Sequence, residues 1–175
     1  MSNSPVNSNI ILGQIEHRLA KAMPMALIFL NVVYLDAFHK RYGKKRADQL
    51  LNTIGVFLAH TVSSYGNLED LTHYLGGDSY VIITSPKKCS SLIPQITTTF
   101  NELMIFQYKK IDWELDKRGL HGTQTKKAKV PIVKLKATVL LDTQKIKDTF
   151  QFMHEESAVH ILLNLKGSAH NPGAG

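Results

Sequence analysis

The chain has 175 residues, 43% of them hydrophobic, which is enough for one sizeable core and too little for a second full domain. Its formal charge of +7 would suit an anionic partner, while the single Cys89 excludes an internal disulfide and leaves no thiol pair for a structural zinc site. No apolar stretch approaches the roughly 18 residues needed to cross a bilayer, so a cytoplasmic chain with no membrane segment is expected.

Residues 1–9, "MSNSPVNSN", lack the basic start and apolar middle of a signal peptide and read as a disordered lead. Residues 10–24 carry Ile11, Ile15 and Leu19 at helical spacing before Pro24, which predicts a lead-in helix. "MALIFLNVV", residues 25–33, is an aliphatic run too short for a helix and suits a strand buried on both faces. Asp36 is placed to cap a short helix that reaches Tyr42 and stops at Gly43. Ala47, Leu50, Leu51, Ile54, Phe57 and Leu58 then mark a long amphipathic helix ending near Ser63.

"LTHYLG" and "SYVIIT" flank Gly76, Gly77 and Asp78, an alternation around a glycine turn that predicts a β-hairpin. Leu92, Ile96, Phe100, Leu103 and Phe106 give a helix over 89–111, with Pro94 in its first turn and Phe106 and Trp113 as core anchors. The polar stretch 112–129 reads as an excursion, 130–142 as a strand, and 145–165 as a last helix closed by Gly167, with a disordered tail at 169–175. The fold class is therefore α/β (α+β), a mixed central sheet flanked by helices within a domain at 25–168.

The basic residues cluster twice, as Lys40, Arg41, Lys44, Lys45 and Arg46, and as Lys126, Lys127, Lys129, Lys134 and Lys136. Neither zinc-finger spacing nor an aromatic RNA-recognition signature accompanies them, so solvated faces are favoured over nucleic-acid binding. The eight histidines show no paired metal-ligand spacing, and Ser79 lacks the companions of a hydrolase triad.

"GGDSY" at 76–80, together with "LIFLNVVYLDAFHKRYGKKRADQLL" upstream, resembles the GGDEF family of diguanylate cyclases. The similarity is most specific from Ala26 to Ser85 and implies a nucleotide-cyclase or polymerase palm fold. Members condense two GTP molecules into cyclic di-GMP, using carboxylates that hold Mg²⁺ against the phosphates. Carried across by position, the strand's metal-binding Asp falls on Asn31, which keeps a carbonyl oxygen but no charge. Asp78 survives in the turn as the catalytic remnant, whereas the next acidic position is Ser79. Gly76 and Gly77 would let the backbone approach a triphosphate.

The guanine-reading pair falls on His39 and Asp48, and Asp36 stands where many members carry a lysine. No phosphate-gripping lysine or arginine is matched in "ESAVHILLNLKG". The inhibitory site for cyclic di-GMP falls on Asn67, Leu68, Glu69 and Asp70, which lacks the arginine that would pair with guanine.

The resemblance thus implies a catalytically degenerate domain: a regulatory or docking module beside a protein partner or adjacent signalling domain. Weak GTP binding with accompanying Mg²⁺ fits that reading. Two alternatives stay open, an active cyclase completed by a second protomer and a nucleic-acid binder acting through the basic clusters.

Overall fold

The apolar run after Met25 forms the central strand of the protein, in a computed structural model that describes residues 6–110, 112, 130–141, 143–152, 165–167 and 169. The elements in chain order are α1 (Val6–Ala20), β1 (Ala26–Val33), α2 (Leu35–Tyr42), α3 (Lys44–Tyr65), β2 (Leu71–Gly76), β3 (Ser79–Thr84), α4 (Pro86–Gln107), β4 (Lys134–Leu140) and α5 (Thr143–Phe152). The four strands form one sheet in the order β2-β3-β1-β4.

The expected class, a sheet flanked by helices, is the one observed. Its strand directions are a refinement: β1 pairs antiparallel with β3 and β4, and β2 pairs antiparallel with β3. β1 and β2 do run the same way, but α2 and α3 carry the chain past the neighbouring position. The hairpin partner β3 then fills that gap in the opposite sense.

Side chains alternate across β1 and build a core on each face of the sheet. Ala26, Ile28, Leu30 and Val32 join Tyr80 and Ile82 against the buried stripes of α3 and α4. Leu27 and Phe29 join Val81 and Ile83 against Ile11 and Ile15 of α1, Ile146 of α5, and Leu165. A strand enclosed on both sides has no polar face to alternate with, which is why its sequence is an apolar run interrupted only at Asn31.

Several boundaries differ from expectation. α1 begins at Val6, inside the stretch read as a lead. Asp36 lies within the first turn of α2 instead of capping it; the cap position is Tyr34, held in the left-handed region at φ 67°. α4 starts at Pro86 behind Ser85, whose hydroxyl accepts from the Lys88 N–H, so Pro94 falls well inside the helix. Phe106 is exposed, contrary to its expected role as a core anchor. Phe100 and Met104 occupy the buried stripe there, and at about 100° per residue Phe106 points away from Met104. Trp113, the excursion at 113–129, residues 153–164 and the tail at 170–175 lie outside the described residues.

The first basic cluster is partly committed to the fold. Arg41 forms a two-pronged pair with Asp112 at 3.0 and 3.2 Å, and Arg46 donates to the Gln107 carbonyl while lying over the Tyr42 ring. Burial alone would raise the Asp112 carboxyl, but the Tyr42 hydroxyl and the Arg41 guanidinium prevail and hold it below the usual carboxylate value. Of the second cluster, Lys134 and Lys136 project from β4, an outer strand of the described sheet, where lysines discourage edge-to-edge pairing. Lys126, Lys127 and Lys129 lie outside the described residues.

Candidate functional site

The site is built where β1 leaves the sheet beside the turn between β2 and β3. Gly76 and Gly77 take φ values of 101° and 60°, a region closed to most side chains, and so let the chain reverse before Ser79. Tyr74 ties the turn down by donating its hydroxyl to the Gly77 carbonyl at 2.8 Å, and the Val32 N–H donates to the Asp78 carbonyl at 2.8 Å. These bonds hold the turn against the end of β1.

The register places Asn31 opposite Ser79, on the same sheet face as Leu27 and Phe29. The Asn31 amide donates to Asp78 Oδ1 at 3.2 Å and to Ser79 Oγ at 3.0 Å. An ionised carboxylate offers no proton, so the amide must turn its NH₂ inward and its carbonyl oxygen away. The Ser79 hydroxyl donates in turn to Asp78 Oδ1 at 2.9 Å.

The segment "ESAVHILLNLKG", in which no phosphate-gripping lysine or arginine is matched, nonetheless brings a cation to this turn. Lys166 donates to Ser79 Oγ at 3.1 Å across 87 residues of sequence. Its neighbour Leu165 is fully buried in the core under that sheet face, and this anchors the lysine within reach. Burial pushes the Lys166 ammonium below its ordinary value, with the Asp78 carboxylate opposing the shift.

A divalent cation of the kind the resemblance implies needs several free anionic oxygens. Asp78 is the only carboxylate in this hydrogen-bonded group, Asn31 presents N–H groups, and both lone pairs of Ser79 already accept from Asn31 and Lys166. The donor set does not fit the ion. No grouping of three or more His, Cys, Asp or Glu side chains suited to a metal occurs among the described residues.

A cleft of about 740 Å³ opens beside this group, lined by Val32, Tyr34, Asp36, Lys40, Gly77 and Asp78 among others. The first turn of α2 faces it, so unpaired helix N–H groups and Lys40 favour an anion while Asp36 and Asp78 oppose one. Asp48 is exposed on α3; burial raises the Tyr74 phenol, and the charges of Asp78 and then Asp48 add to that. His39 is exposed on α2, and no hydrogen bond among the described residues joins it to the group. Asp70 is spent on its own loop, where it accepts from the Asn67 N–H and the Thr84 hydroxyl, both at 2.7 Å. Gly66 permits this, because a Cβ there would come within 2.5 Å of Asp70 Oδ2. Lys166 is the site residue that sequence reasoning missed, since no local pattern ties it to Ser79.

Comparison with known proteins agrees with the fold. A family model described as diguanylate cyclase, GGDEF domain, matches residues 6–114. Among solved structures, a diguanylate cyclase/phosphodiesterase from Caldicellulosiruptor saccharolyticus is 13% identical, with 90% of this chain and 76% of that chain covered and a TM-score of 0.52. The active GGEEF domain of a diguanylate cyclase from Vibrio cholerae is 15% identical, with coverage of 73% and 67% and a TM-score of 0.45. The diguanylate cyclase SiaD from Pseudomonas aeruginosa, solved with its activator SiaC, is 14% identical, with coverage of 92% and 55% and a TM-score of 0.49. No curated protein matches. At these identities the structural likeness is one of fold, while the family model spans well over half of the sequence: the chain belongs to the GGDEF, diguanylate cyclase domain family.

Proposed function

We infer that this domain is a catalytically degenerate GGDEF module in cyclic di-GMP signalling, serving as a regulatory or docking unit with weak, non-productive GTP binding. The observation that carries this reading is the hydrogen-bond group of Asn31, Asp78, Ser79 and Lys166, in which the one carboxylate accepts through Oδ1 from both the Asn31 amide and the Ser79 hydroxyl. Condensing two GTP molecules requires charge on the attacking and leaving oxygens to be neutralised together. A single carboxylate already engaged by an amide and a hydroxyl does not supply the metal clamp for that.

The cleft beside α2 is large enough for part of a nucleotide, and its helix N–H groups and Lys40 give it some attraction for phosphate. Asp36 and Asp78 weaken that attraction, which suits sensing or docking more than turnover. Among the described residues no helix is long and apolar enough to cross a membrane.

Incubation with GTP and Mg²⁺ or Mn²⁺, followed by chromatography, is expected to yield no cyclic di-GMP. Product that disappears in an Asp78→Ala variant would restore the active-cyclase alternative. Calorimetry separates the remaining roles: a weak GTP isotherm supports sensing, and silence for both GTP and cyclic di-GMP supports protein docking.

A further inference from the structure

We propose that the junction between α2, α3 and the end of α4 is a docking surface for an acidic, partly apolar segment of a partner protein. This gives a chemistry to the docking role inferred above and rests on that reading.

The fold draws three stretches of chain together at this junction. Arg46 of α3 donates to the Gln107 carbonyl at 3.0 Å, the Tyr42 hydroxyl at the end of α2 accepts from the Lys109 N–H at 3.3 Å, and Arg41 pairs with Asp112. Lys109 thereby joins the basic run at 40–46, although 67 residues separate it from Tyr42. Lys40, Lys44, Lys45 and Lys109 are exposed, and among the described residues no ion pair engages any of them. The acid drawn into the junction, Asp112, is already matched by Arg41, and Lys44 makes no ion pair with Asp48 one turn further along α3. A surplus of positive charge is left facing solvent.

Stability of the fold does not account for these cations. α3 opens with Lys44, Lys45 and Arg46, has no acidic residue in its first turn, and among the described residues has no side-chain cap. Cations at the positive end of a helix dipole cost stability where Asp or Glu would add to it. Arg46 offsets that cost through Gln107 and the Tyr42 ring, whereas Lys44 and Lys45 have no such contact among the described residues.

The junction also has an apolar part. Ile105 and Phe106, the latter 81% exposed, directly precede the carbonyl that Arg46 holds. An apolar anchor beside charged groups is the make-up of a protein interface. Surfaces that hold single-stranded nucleic acid set successive aromatic rings along a basic groove, and here one ring lies next to an aliphatic side chain.

Fluorescence anisotropy with a fluorescein-labelled peptide of alternating Glu and Leu tests this. The unaltered chain is expected to bind it, and Lys44→Glu with Lys45→Glu to weaken binding by at least about tenfold. Phe106→Ser is expected to weaken it by about fivefold. Lys87→Glu with Lys147→Glu, the same charge change at the far end of α4 and on α5, should stay within about twofold. Glutamates suit a first helical turn, so the Lys44 and Lys45 replacements should keep or raise Tm, which separates lost binding from unfolding. Absent binding, or equal losses in the two double variants, overturns the proposal. Tighter binding to a single-stranded DNA oligonucleotide or to phosphatidylserine vesicles, lost in the same Lys44 and Lys45 variant, also overturns it. Cyclic di-GMP formed from GTP by the unaltered chain defeats the degenerate reading alone, and is measured separately from peptide binding.

Discussion

Asn31 and Ser79 face each other across β1 and β3, joined by a side-chain hydrogen bond of 3.0 Å. Two acidic groups at these positions would repel each other, whereas an amide and a hydroxyl attract. Asn31→Asp should therefore cost stability, because it deletes two N–H donors and sets a second negative charge beside Asp78. The expected loss is about 1–2 kcal/mol in urea denaturation, with no cyclic di-GMP gained. A stabilised variant would contradict the geometry.

Among the described residues, Tyr34 is the only non-glycine residue near the cleft that is held at positive φ, at 67°, and its ring is about half exposed. Backbone strain of this kind costs of order 1–2 kcal/mol for an L-residue. Tyr34→Gly should relieve it, raising stability by about 0.5–1 kcal/mol once glycine's greater unfolded-state entropy is counted. A lower melting temperature would mean that the ring packs more tightly than its exposure indicates.

Asp112 ties α2 to the chain beyond α4 through Arg41 and Tyr42. Its carboxyl is held below the ordinary value of 3.8, so it contributes stability above that pH and loses it as the pH falls through the depressed value. Asp112→Asn should cost about 1–2 kcal/mol at pH 7, a figure already reduced because Arg41 is half exposed. Denaturation curves of the two proteins should converge in acid; a gap that is constant with pH would show that the charge does not matter.

Phe100 and Phe106 lie close together on α4 but in opposite environments, one buried and one exposed. Phe100→Ala should cost about 3–5 kcal/mol by leaving a cavity against Phe57 and the sheet. Phe106→Ser should stay within about 0.5 kcal/mol. Comparable losses in the two would place Phe106 under a cover that the described residues do not include.

That last contrast shows where sequence reasoning stops. β1 is legible because burial on both faces leaves an apolar run interrupted only at Asn31, and the hairpin because Gly76 and Gly77 mark a turn between two strand-like stretches. Phe106 was misjudged because hydrophobicity names a candidate for the core, and only the helix's starting point decides which stripe faces inward. Ser85 and Pro86 are the start signal, whereas Pro94 mimics one because a proline suits a first turn equally well. Asp36 resembled a cap by type, yet Tyr34 took the cap position through a backbone twist that residue preference does not foresee. Lys166 was out of reach of any local pattern, since its partner is 87 residues away and sequence spacing describes neighbours along one element.

Leu165 shares its core with Ile11 and Ile15, so the first helix of the chain and the ammonium at the turn lean on the same few side chains. A force that levered α1 off the sheet would empty the seat of Leu165 and draw Lys166 away from Ser79. The far end of the protein thus has a mechanical grip on its electrostatic centre.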